Sequence, residues 1–297
     1  MMIDIQPSRQ QTALAMMPES GKLLLFSDQQ QDNFEKSQSI ITASSFIRLG
    51  MKEAVFKDCS FTQSNFEDSY FRKAVFKNVR FTGSSFRFCN FDKASFQACD
   101  FRYCNFFHCK LPKDEIISCL PPEPNLRRDL ARNLRANYEM IGDKKAADTF
   151  LDIEIQAYED ELKAIFFSKT EYYKNHYNLL AQIQAGAKFL VSKFSGMVWG
   201  YGHRVDRLVL SYFLTTCFLS LITYFGRTKF FVSSNMVPRQ LTFWESINMG
   251  FCETVSASSP SFVPSTLGGQ LITLSASLLG TLFLALLAAT LYRRIAR

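Results

Sequence analysis

Residues able to do chemistry are few in this chain and fall in two places. The first is Glu253-Thr254-Val255-Ser256-Ala257-Ser258-Ser259, an acid followed by mostly small hydroxyl-bearing residues in an apolar region. An acid at membrane depth is costly and functional by default. Small polar residues let several chains aim backbone carbonyls and hydroxyls at a shared axis, which is chemistry for holding a cation. The second place is Cys99, Cys104, Cys109 and His108. These have the donor types for zinc, but their five-residue spacing is not a zinc-ligand spacing. His108, His176 and His203 are the 3 histidines of the chain. No nucleophile, base and orienting acid come together around them, so an enzyme is not expected. Neither a cofactor nor a metal is expected, beyond permeant cations.

The elements around Glu253 are apolar. Leu208–Phe225 carries no charge, and as a helix it would be ~27 Å long. Leu271–Tyr292 is also uncharged. Both match the ~30 Å hydrocarbon core of a bilayer, so two membrane helices are expected. Between them lies Leu241–Cys252, apolar and aromatic but too short to span, which reads as a re-entrant segment. Basic residues flank the spans: Lys188, Lys193, Arg204 and Arg207 before the first, and Arg293, Arg294 and Arg297 after the second. The connecting loop holds Arg227, Lys229 and Arg239. That bias puts both termini in the cytoplasm, in agreement with reduced cysteines. The net charge of +7 over 297 residues is read as suited to anionic lipid, with no nucleic acid expected as a partner.

The 30 phenylalanines follow a pattern. Phe recurs at every fifth residue from Phe46 to Phe106, with Met51 in the one gap and Leu111 at the end. Two residues before each stands a small or modest side chain, such as Ala54, Cys59, Ser64 or Val79. A period of five fits neither a helix nor a flat strand. It fits a chain that turns a corner every five residues and stacks its coils ~4.8 Å apart. Only stacking buries the Phe columns, so stability comes from neighbouring coils.

Residues 1–41 show weak patterning and are expected to be a flexible extension, with Leu23–Phe26 as a cap over the first coil. Pro121, Pro122 and Pro124 close the repeat. Leu126, Leu130, Leu134, Tyr138 and Ile141 then run at helical spacing. A turn at Gly142-Asp143 leads to a second stripe through Phe150, Ile153 and Leu162, so this reads as an α-helical hairpin linker. A further amphipathic stretch, Glu171–Phe194, leads to the Gly-rich patch Gly196–Gly202.

The repeat over residues 42–112 resembles the pentapeptide-repeat family. The resemblance implies a right-handed quadrilateral β-helix with four units per coil. Some members of that family mimic DNA, which needs an acidic surface. Here Lys52, Lys57, Arg72, Lys73, Lys77, Arg80 and Arg87 outnumber the outer acids, so mimicry is not expected. The segment Tyr138–Glu161 resembles the helical hairpin that follows such repeats in bacterial channel-like proteins. Trp199-Gly200-Tyr201-Gly202-His203-Arg204 resembles the Gly-Tyr-Gly-x-Arg segment before their first membrane helix.

The order helix, re-entrant helix, small-residue loop, helix resembles the two-helix potassium-channel superfamily. The resemblance puts a filter at Thr254, Val255, Ser256, Ala257 and Ser258, with Glu253 just ahead of it and Pro264 behind. Both filter glycines of the family are serine here, and its tyrosine is Ala257. Serine takes the required backbone angles poorly, so a weakly cation-selective or non-selective pore is expected. Glu253 is read either as one of a ring of acids favouring cations or as a supporting acid behind the filter. Glu245 is placed in a supporting network or at the water interface. Thr273, Ser277 and Thr281, with Gln270, are candidate pore-lining residues, the alternative being helix–helix packing. Gly280 resembles the gating-hinge glycine, or packs closely beside Ala276.

The expected fold is therefore a multidomain membrane protein. Residues 1–41 form an extension, 42–112 the β-helix, 113–206 a helical linker, and 207–297 a two-TM-helix module with a pore loop. The expected function is an oligomeric ion channel, tetrameric by resemblance, in the bacterial inner membrane. A protein partner at the repeat domain is possible in this reading. The alternative is a membrane-anchored pentapeptide-repeat scaffold, or a secreted effector, without ion conduction.

Overall fold

The computed structural model describes residues 24–167, 171–202, 205–233, 241–255 and 262–295. The chain forms two compact units, one ending at Ala185 and one beginning at Gly186.

The first unit opens with a β-solenoid. Its three-residue strands pair in parallel with partners 20 residues away, so that Phe46 faces Phe66 and Phe56 faces Phe76. Twenty residues per coil is four five-residue units, the number that the resemblance implied. One face carries five stacked strands, from Leu25–Ser27 to Asn105–Phe107. The rings form continuous columns. Phe46 and Phe66 stack at 4.6 Å, Phe66 and Phe86 at 4.9 Å, and Phe86 and Phe106 at 4.9 Å. Such ring pairs are worth ~0.5–1.5 kcal/mol beyond their buried area.

Corners recur every fifth residue, from Asp28 through Asp58 and Asn78 to His108, each with φ between 50° and 60°. Gly83 takes one corner at φ 74°. The left-handed region costs an L-residue ~1–2 kcal/mol. Corner amides offset this by bonding to the next coil, as Asn78 N does to Gln97 O at 2.8 Å. Outward side chains pair one coil apart, with Lys73 on Glu53 at 3.0 Å and Lys110 on Asp92 at 3.1 Å. Much of the basic excess is thus a solvated, paired surface.

The solenoid begins earlier than the sequence pattern suggested. Phe26 stacks on Phe46 at 5.1 Å, and Leu25–Ser27 pairs with Ser45–Ile47. The expected flexible extension over 1–41 is therefore corrected from residue 24 onward. Gln31 and Lys36 occupy Phe positions of this first coil and hide its phase, while backbone pairing holds it in place. Residues 1–23 lie outside the described residues.

The small-residue phase explains six cysteines. Cys59, Cys89, Cys99, Cys104, Cys109 and Cys119 are buried. Their thiols donate to carbonyls, most of them in the coil before: Cys104 to Phe81 O at 2.9 Å and Cys109 to Phe86 O at 3.3 Å. Burial pushes the Cys104 thiol up to about 12, and burial also raises Cys59. Protonated thiols facing carbonyls, as at Cys59 and Cys104, are poor metal ligands. His108 sits at an exposed corner against the Phe88 ring. No group of three or more candidate ligands gathers among the described residues.

Three helices close the solenoid. Helix α1 (Lys113–Ser118) takes over one face: Ile116 is fully buried, and Glu115 Oε2 accepts from Phe96 N at 2.8 Å. Helices α2 (Pro124–Met140) and α3 (Lys144–Phe166) form the expected hairpin. Gly142 turns it at φ 80°, and Asp143 caps α3 by accepting from Ala146 N at 3.0 Å. Arg127–Asp160 and Arg132–Glu154 at 2.8 Å, with Arg135–Glu154 at 3.0 Å, tie the two helices. One apolar core runs from Phe26 to Phe150, so this hairpin belongs to the solenoid and is not a free linker. Helix α4 (Glu171–His176) follows, then α5 (Leu179–Trp199).

Candidate membrane module

The second unit is built on two long helices, α6 (Val205–Phe230) and α8 (Leu267–Ile295). Within them Val205–Gly226 and Leu267–Tyr292 are long and apolar enough to cross a membrane. Only 28% and 11% of those apolar stretches are buried, whereas the core helix of a water-soluble domain would be mostly buried. Phe213, Leu214, Phe218 and Phe225 on α6, and Leu271, Leu274, Leu278 and Leu282 on α8, are exposed.

Polar residues of α6 turn the other way. Thr216, Ser220 and Thr223 are buried. Their hydroxyls donate back along the helix, Thr216 to Tyr212 O at 3.0 Å and Ser220 to Thr216 O at 2.8 Å. This satisfies each hydroxyl without a partner from another element.

Between the long helices lies α7 (Phe243–Thr254), the short segment read as re-entrant. A capping box starts it: Glu245 Oε2 accepts from Thr242 N at 2.9 Å, and Thr242 Oγ1 accepts from Glu245 N at 3.4 Å. Glu245 therefore has a helix-starting role. Ser246, Met249, Gly250 and Glu253 form the buried stripe of α7, at steps of three and four.

Two glycines let α7 sit close to its neighbours. A Cβ on Gly250 would collide with Ser220 Oγ on α6. A Cβ on Gly280 would overlap the carbonyl oxygen of Thr254. Gly280 therefore marks a backbone-to-backbone contact between α8 and the end of α7. Thr254 is held from α6 as well, since its Oγ1 lies 3.0 Å from Tyr212 Oη. Tyr212 in turn meets Phe283 of α8 edge-on at 5.8 Å. Beyond α7, Phe231–Ser233 pairs antiparallel with Phe262–Pro264. That short ribbon, with Ser265 N on Phe230 O at 2.9 Å, brings the end of α6 to the start of α8.

The candidate site residues divide as follows. Glu253 is 9% exposed, on the buried side of α7, and its Oε2 has no hydrogen-bond partner among the described residues. Thr254 is buried, and Val255 is 46% exposed at the end of the helix. Ser256, Ala257 and Ser258 lie outside the described residues, as do Ser259 and Pro260. Thr273 and Ser277 are half-buried, and Thr281 is exposed on α8. Thr273 donates to Gln270 O and Thr281 to Leu278 O, each at 2.9 Å. The stripe flanks the buried face of α8, which carries Ala276, Gly280 and Phe283. His203, Arg204 and Arg297 fall outside the described residues.

Sequence reasoning missed Gly250, whose signal was a glycine in an otherwise apolar helix. It also missed Asn133 and Asn137, poor helix formers four apart in the helix after the repeat.

A search of curated proteins returns no match for this chain. The family model for a pentapeptide repeat region matches residues 49–119, a span that covers the solenoid from its second coil to the end of α1. The chain carries a pentapeptide-repeat β-solenoid, followed by helices of which two are long and apolar enough to cross a membrane.

Proposed function

We propose that the second unit is the protomer of an oligomeric ion channel, with the pentapeptide-repeat solenoid as its cytoplasmic domain. A two-span chain cannot enclose a pore alone, so this reading requires an oligomer, and the resemblance to two-helix channels implies four copies around an axis. The supporting observation is the seat of Thr254. Tyr212 of α6 and Gly280 of α8 both hold the end of α7, immediately before the small-residue loop at 256–260. That fixes the start of the loop while leaving Val255 exposed.

In this reading Val255 and the serines after it face permeant cations, Thr254 is the seated residue behind them, and Thr273, Ser277 and Thr281 line the inner pore. Serines in place of filter glycines give weak selectivity. Glu253 acts from behind the loop, because its burial lies within its own protomer. The bilayer is a bacterial plasma membrane with both termini in the cytoplasm. A membrane-anchored scaffold without conduction is the second reading.

Planar-bilayer recordings on purified full-length protein test the proposal. Unitary currents are expected, with poor discrimination between potassium and sodium. Silence from a correctly assembled oligomer would overturn conduction and leave the scaffold.

A further inference from the structure

Helix α5 has an apolar stripe that no other described residue covers. Leu179, Ile183, Leu190, Phe194 and Met197 share one side of the helix at steps of three, four and seven, with Val191 beside them, and Phe194 is 69% and Met197 77% exposed. From Ile183 to Met197 the stripe runs ~21 Å. Soluble surfaces rarely leave such a continuous apolar strip uncovered. The helix has no acidic residue, and its only charges are Lys188 and Lys193. Lys193 Nζ lies 5.9 Å from the Phe189 ring centre.

Two observations name the occupant. The first is connectivity. Only residues 200–204 separate Trp199 from the apolar helix α6, so the end of α5 stays within a few residues of whatever surrounds α6. The second is a built corner. Arg207 Nη1 donates to Gly196 O at 3.1 Å, and Ser211 Oγ donates to Val198 O at 2.6 Å. Tyr201 takes φ 57° at the bend, and Gly196 leaves the space its ring fills. The last turn of α5 is thus bonded to the first turns of α6.

We infer that α5 lies on the bilayer surface, with its apolar stripe in the acyl–headgroup boundary and its lysines toward anionic headgroups. An amphipathic helix with an apolar side and lysine as its sole charge binds such a surface through buried area and electrostatic attraction. Trp199 then sits at the depth where indole rings concentrate. The inference rests on α6 being a membrane span; it does not require conduction.

Depth-dependent quenching tests it. Full-length protein with Cys217→Ser and Cys252→Ser is given one cysteine at Leu190→Cys, Phe194→Cys, Lys188→Cys or Phe213→Cys, and each is labelled with an environment-sensitive fluorophore. The variants are reconstituted into phosphatidylcholine bilayers, with or without phosphatidylglycerol, that carry lipids brominated near the headgroup or deep in the chain. Labels at 190 and 194 should be quenched by the shallow lipid, more so with phosphatidylglycerol, and the label at 188 should not. Quenching at 213 alone would overturn the inference while leaving the span. No quenching at 213 would remove the span and this inference together. Labels at 190 and 194 that escape lipid but crosslink between copies would assign the stripe to a second protomer and overturn it.

Discussion

The side-chain amide of Asn137 closes the last coil of the solenoid on Cys109. Its Oδ1 accepts from Cys109 N at 2.7 Å and its Nδ2 donates to Cys109 O at 2.8 Å. Four residues earlier Asn133 does the same for Phe106, at 2.7 Å and 3.3 Å. Tyr138 adds a bond to Leu111 O at 3.1 Å. Helix α2 thus supplies amides where a further coil would supply peptide groups, and an exposed sheet edge becomes a satisfied one.

Replacing Asn137 by Ala leaves a buried peptide N–H and C=O unpaired, at a cost of ~1–3 kcal/mol for each group left unsatisfied. Asn137→Ala should lower the unfolding midpoint of the solenoid in the full chain. Amide exchange should accelerate most around Phe106–Cys109. Unchanged exchange there would mean that the amide is dispensable.

Gly280→Ala separates two readings of that glycine. A methyl group at 280 meets the Thr254 carbonyl, so α7 and α8 must move apart. The variant should lose monodisperse oligomer in detergent, and its currents with it. Gly268→Ala meets only the side chain of Phe230 and should be tolerated far better. A Gly280→Ala protein that assembles normally and changes only its gating would restore the hinge.

Glu253→Gln keeps the shape of a buried side chain and removes its charge. With Glu253 on the buried side of α7, the variant should assemble as well as the parent and keep its reversal potentials. A shift in reversal potential under a sodium, potassium or chloride gradient would put the carboxylate on the ion path.

The buried Cys104 thiol makes the solenoid sensitive to alkali. The folded value of Cys104, about 12, stands above its ordinary 9.0. The unfolded chain therefore loses that proton first as pH rises. Stability is fully present below pH 9 and declines toward pH 12, by about 1.4 kcal/mol per pH unit for this thiol. Chemical unfolding between pH 7 and pH 11 should show the decline, and Cys104→Ala should flatten it. Mild alkylation at neutral pH in detergent should reach Cys217 and Cys252 before the six solenoid cysteines.

The solenoid was legible from residue 42 to residue 112 because its period is set locally. Each Phe and each small residue two places before it must point inward, whatever lies elsewhere in the chain. The first coil escaped notice because Gln31 and Lys36 break the apolar phase while the backbone ladder persists. The two long apolar helices were equally plain, since length and absence of charge are properties of a single segment.

Contacts between distant segments were not legible, for the opposite reason. That Asn137 meets Cys109, that Gly280 meets Thr254, and that Glu253 is buried against the neighbouring helices all depend on which side of a helix meets which neighbour. Helical periodicity specifies a side but not its partner. The sequence alone determined the five-residue coil and the two apolar helices. The tertiary structure alone decided how the coil is closed and how the last turn of α7 is seated, because both depend on atoms brought together across 26 to 30 residues of chain or more.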